Sequence, residues 1–211
     1  MVSVFVERNE SRLMNYLAHI LLSGNDKRIA VGNFIGDGVK GRIPDSYPKE
    51  IFIGLHLHRF IDHVADTHPA NKASREAMYP VFGKYAGVAQ DMLHDHFLAG
   101  KWDDFSSEPI ETYLDSFYKT ADEYIDIFPA HQKRFLEGVR AGDWLINYRT
   151  VEGMQRAFSG LSRRVTRENP LAIGGKYLID NAESLETSFL SFFPLLVAEC
   201  EAELERLLNN T

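Results

Sequence analysis

Cysteine occurs once, at Cys200, so the chain cannot close a disulfide on itself, and a reducing compartment suits it. No apolar run approaches the roughly 20 residues needed to cross a bilayer. A basic excess is missing too. The 23 Lys and Arg stand against 30 Asp and Glu, a formal net charge of −7, so the whole molecule is not drawn to nucleic acid or anionic lipid. Repeats, low-complexity tracts and flexible linkers are also lacking. The opening stretch holds Val2, Val4, Phe5 and Val6, but Glu7, Arg8 and Glu10 interrupt it. It has neither the length nor the leading positive charge of a secretory signal. Residues 1–13 therefore read as an extension before a single domain over residues 14–211, and cytoplasmic residence is the expectation.

What is present is the balance of a globular protein, with 45% hydrophobic and 25% charged residues over 211 positions, enough for one well-buried core. Punctuation suits helices almost throughout. Helices are expected over residues 13–22, 26–34 with Asp26 as cap, and 48–67 with Pro48 and Glu50 in the first turn. A further segment covers 70–81. Helices then follow at 84–100, from Ser106 or Ser107 to Phe128, at 130–141 and at 151–161. The stretch 174–208 is one long helix or two, with Pro194 as the expected kink. The fold class predicted is all-α, a compact single-domain helical bundle with short connections.

Candidate chemistry lies where ionisable groups fall on apolar faces. On the helix 48–67, Ile51, Ile53, Leu57, Phe60, Ile61 and Val64 fill a broad apolar arc, and His58 and Asp62 fall inside it. His56, Arg59 and His63 fall on the solvent side. His58 and Asp62 are four apart, which stacks them on one face close enough to reach one cation, or to share a buried hydrogen bond. On the helix 84–100, Asp91 and Asp95 flank an apolar stripe that includes His96, while His94 points away. Asp91 and Asp95 can be joined by a cation or stay solvated. His19 shares a face with Asn15, and Asp37 follows Asn33 by four residues beside glycines. Four segments thus each offer an inward His or Asp that a bundle can gather into one cavity. Nitrogen and oxygen donors without cysteine suit Mn²⁺, Mg²⁺ or Fe²⁺ and argue against a structural zinc site.

The ordered strings MNYLAHILLSG (14–24), GNFIGDGVKG (32–41), GLHLHRFIDHVADTHP (54–69) and DMLHDHFL (91–98) resemble the acyl carrier protein phosphodiesterases. Weaker similarity runs on through WLINY (144–148), LSRR (161–164) and FFPLL (192–196). The resemblance implies a divergent, HD-domain-like, metal-dependent phosphohydrolase of all-α fold. Such an enzyme removes 4′-phosphopantetheine from holo-acyl carrier protein, using Mn²⁺. Carried over by motif, it implies His19, His58, Asp62 and Asp95 as metal ligands. Asp37 would position or deprotonate the attacking water. His96 would orient a ligand or protonate the departing serine oxygen. Family members commonly carry Thr before the aspartate matching Asp66, where this chain has Ala65, so Asp66 receives no role.

An acidic carrier protein meeting a chain of charge −7 requires a local basic surface. Residues 154–176 offer one, with Arg156, Arg163, Arg164, Arg167 and Lys176 against Glu168 alone. Arg163 and Arg164 are the expected substrate-binding pair. Three rival readings use the same residues. One is an HD-type phosphohydrolase acting on a nucleotide, one is a non-hydrolytic dinuclear iron protein, and one is a binding module with a polar interior.

Overall fold

The structure is a computed structural model, and it describes residues 15–210. The proposed extension over residues 1–13 lies outside the described residues. The helices are α1 (Tyr16–Leu21), α2 (Lys27–Phe34), α3 (Lys49–Thr67), α4 (Pro69–Phe82), α5 (Ala86–Gly100), α6 (Ile110–Glu123), α7 (Ala130–Ala141), α8 (Trp144–Asn147), α9 (Val151–Arg164) and α10 (Gly174–Asn210). Among the described residues there is no strand, so the all-α expectation holds. No helix among them is long and apolar enough to cross a membrane.

Local chemistry explains the boundaries. Asp26 caps α2 as expected, its carboxylate accepting from Arg28 N at 2.9 Å. Thr150 does the same for α9 through Gly153 N. α6 starts later than expected, after Pro109. Ser106 Oγ bonds the backbone of Glu108 instead and closes a local turn. The break in α10 falls at Asn181, with φ −129°, and not at Pro194. The Asn181 side chain donates to Tyr177 O at 2.9 Å, competing with the helix ladder. Pro194 lies within the helix, and the carbonyl it leaves without a donor belongs to Leu190, a residue that is 43% exposed.

α3 is the organising helix, packed on α2, α4 and α10. Its crossing with α2 is close because glycines meet there. A Cβ on Gly32 would strike Ile51 O, and one on Gly54 would strike Ile29 O. This crossing brings Asn33 of α2 beside the inner face of α3. The core beyond it is dominated by Phe34, Phe117, Phe158, Phe189, Phe192 and Phe193, all almost fully buried. Each such side chain contributes about 1.5–3 kcal/mol by leaving water.

α5 is buried on more than one side, packed against α1, α4, α8 and α10. His94 consequently does not point away. It is 7% exposed and lies against Phe189 and Phe192 of α10. A helix with neighbours all round has no solvent face for a one-sided wheel to find.

Candidate metal centre

Three donors converge where α1 and α3 meet. His19 Nε2 lies 3.5 Å from Asp62 Oδ1, and His58 Nε2 lies 3.5 Å from Asp62 Oδ2. The two imidazoles stack with centroids 4.4 Å apart. Among the described residues His19, His58 and Asp62 form the group whose ligand atoms all lie within 4.8 Å of one another. Both histidines are buried, and Asp62 is one-third exposed, so the cluster opens to solvent on its carboxylate side. Asp37, from the short turn Gly36–Gly38, places Oδ1 3.7 Å from His58 Nε2 at the rim. That turn can pack on His58 only because residue 36 is glycine, since a Cβ there would overlap the imidazole. Burial pulls the pKa of His58 down, and the carboxylates of Asp37 and Asp62 more than reverse this, so the net shift is upward.

The orientation of His19 is fixed from behind. Asn33, fully buried, donates through Nδ2 to His19 O and to Ser23 Oγ, both at 2.9 Å, while Ser23 Oγ donates to His19 O. With its amide nitrogen so committed, Asn33 presents Oδ1 to His19 Nδ1 at 2.6 Å. That oxygen can only accept, so Nδ1 carries the proton and Nε2 turns a lone pair toward Asp62. This is the arrangement a ligating histidine needs. In the sequence Asn33 was noticeable only as the residue four before Asp37.

Asp95 stands apart from this group. Its two oxygens accept from Leu17 N at 3.0 Å and Ala18 N at 2.9 Å, closing the N-terminus of α1, whose own cap residue Asn15 makes no side-chain bond. Burial raises its pKa to about 7, against the lowering effect of those two bonds and of His19. His96 is half-buried and directs Nδ1 to Tyr148 O at 2.6 Å. It lines neither recess beside the cluster.

Those recesses share Asp62 and Asp66. One, of about 540 Å³, is walled by Asp37, Lys40, His58, Arg59 and His63. The other, of about 210 Å³, is walled by Asn15, Asn71, Arg75, Lys84 and Asp91. Arg75 holds Asp66 at 2.8 Å. Burial, together with the charges of Asp62, Asp95 and Asp66, raises the pKa of Asp91 well above the carboxylate range. Lys40, Arg59, Arg75 and Lys84 were not singled out from the sequence as site residues, since solvated cations carry no periodic signal. Arg163 and Arg164, at the end of α9, are exposed and line a different cavity that shares no residue with these two.

Geometry and fold thus define an all-helical protein with a buried imidazole pair and a carboxylate facing a polar cleft. The family described as acyl carrier protein phosphodiesterase matches residues 14–196, and the chain belongs to that family. Proteins named acyl carrier protein phosphodiesterase from Escherichia coli strains HS and Crooks are each 28% identical over 190 residues, covering 88% of this chain and 97% of theirs. No solved structure matches.

Proposed function

We propose that this chain is an HD-type hydrolase that cleaves the phosphodiester between a serine of holo-acyl carrier protein and 4′-phosphopantetheine, with a divalent cation, Mn²⁺ foremost, held by His19, His58 and Asp62. The observation that carries the reading is the convergence of two imidazole Nε2 atoms on one carboxylate that lines a polar cleft. Family membership over most of the chain supports the substrate class. The donor set fits a cation that takes nitrogen and oxygen ligands. Bound there, such a cation supplies Lewis acidity toward water and the phosphoryl oxygens.

The residues of the chain do the remainder. Asp37, at the cleft wall and 3.7 Å from His58, holds the attacking water and takes its proton. Lys40 and Arg59 line the same cleft and offset the negative charge of the phosphodiester. Arg163 and Arg164 dock the acidic carrier protein. Asp95, matched by motif to a metal ligand, also places α1 and with it His19. His96, matched by motif to orienting a ligand or protonating the departing serine oxygen, also ties α5 to Tyr148. A reducing cytoplasm is the compartment this reading assumes.

Mass spectrometry of holo-acyl carrier protein, incubated with the enzyme and Mn²⁺ with or without chelator, tests the proposal. Loss of the phosphopantetheine mass, blocked by chelator, is expected. An intact carrier beside hydrolysis of a nucleotide panel would move the chain to the nucleotide-acting reading. A visible iron absorption band without hydrolysis would move it to the dinuclear iron reading.

A further inference from the structure

A cavity with apolar walls lies away from the imidazole cluster. Between α7, α8 and α9 is a cavity of about 380 Å³ whose walls include Phe135, Trp144, Tyr148, Ala157 and Leu161. That volume lies within the range of about 300–1,000 Å³ typical of small-molecule sites. Its mouth carries Arg156, Arg163 and Arg164, and no carboxylate lines it. None of the three arginines forms an ion pair among the described residues. Arg164 instead lies over the Trp144 indole, 4.7 Å from the ring centroid. Room is left at the wall by Gly160, in front of which a Cβ would meet nothing within 4 Å. An apolar pocket closed by cations that lack counter-charges selects one chemistry, an apolar chain ending in an anion.

We propose that this cavity binds a free amphipathic monoanion of the medium-chain fatty carboxylate class, with its chain against Trp144 and Leu161 and its head group at Arg156 and Arg163. The inference does not rest on the phosphodiesterase reading, since binding is measured without cation or carrier protein. Hydrophobic transfer makes each added methylene tighten binding about fourfold until the cavity is full, after which affinity levels off. A neutral alcohol of the same length forgoes the guanidinium contacts and binds about tenfold more weakly.

Trp144 forms part of the wall and reports occupancy through its fluorescence. The other tryptophan, Trp102, is buried elsewhere. The full chain is titrated with hexanoate, octanoate, decanoate and decanol, each below its micellar concentration. Saturable quenching that strengthens with carboxylate length and weakens for decanol is expected. Gly160→Leu fills the cavity and abolishes the response, while Gly160→Ala retains it. Arg156→Gln with Arg163→Gln, both on the exposed surface, removes the preference for decanoate over decanol even should the leucine variant not fold. The proposal is overturned by the absence of a saturable response below those concentrations, by equal binding of decanoate and decanol, or by a folded Gly160→Leu protein that binds like the parent.

Discussion

His19 Nδ1 and Asn33 Oδ1, 2.6 Å apart, decide which nitrogen of His19 faces Asp62. Asn33 is itself pinned by two donor contacts, so the tautomer follows from the amide's orientation. Asn33→Ala removes the acceptor and frees the imidazole to rotate. Affinity for Mn²⁺ should fall about 10- to 100-fold, as for other losses of a partner behind a ligating histidine. Chelator competition on protein shown by circular dichroism to be folded measures it. Asn33→Asp keeps an acceptor and should lose less. Equal affinity in the alanine variant and the parent would detach Asn33 from the site.

Asp95 reaches across 78 and 77 positions of sequence to bond Leu17 N and Ala18 N. Asp95→Ala leaves two buried N–H groups without acceptors, at a cost of about 1–3 kcal/mol each. Urea unfolding should therefore show a loss of at least about 2 kcal/mol. Asp95→Asn retains one acceptor oxygen and should lose roughly half as much. Undiminished stability in the alanine variant would mean that α1 is held by its apolar contacts alone.

Much of this site was readable in advance, for reasons that differ by residue. His58 and Asp62 stood out because α3 has one apolar arc, and ionisable groups inside an arc are conspicuous. On α5 the same argument turned His94 outward, because packing on several sides removes the distinction on which a wheel depends. The hydrogen bonds of Asp95 were hidden because its partners are backbone groups of a distant helix, which no side-chain spacing encodes. The break falls at Asn181 instead of Pro194, where a side-chain amide competes for the helix carbonyl of Tyr177, a local bond that a search for proline does not find.

The neutral burial of His94 sets a pH dependence of stability. Burial lowers its pKa from the ordinary 6.5 to about 4. Between those values the unfolded chain takes up a proton that the folded chain does not, so stability is present above pH 6.5 and drains away as the pH falls toward 4. At pH 5 the loss attributable to this group is about 2 kcal/mol. Comparing urea midpoints at pH 7 and pH 5 for the parent and His94→Phe isolates it, since the phenylalanine cannot titrate. An unchanged slope in the variant would assign the acid sensitivity to other groups.

Asp37 and Asp62 are separable because only Asp62 belongs to the three-donor group, while Asp37 reaches it through a 3.7 Å approach to His58. Asp62→Asn should lower Mn²⁺ affinity and activity together, since it weakens the one anionic ligand of the group. Asp37→Asn should leave affinity nearly intact and reduce kcat on the order of 10²- to 10⁴-fold, the range of a lost general base. Turnover at saturating Mn²⁺ distinguishes the two, because extra cation restores a weakened site and cannot restore a missing proton acceptor. If saturating Mn²⁺ rescued Asp37→Asn, then Asp37 would act by holding the cation, and the water would have to be deprotonated by another group.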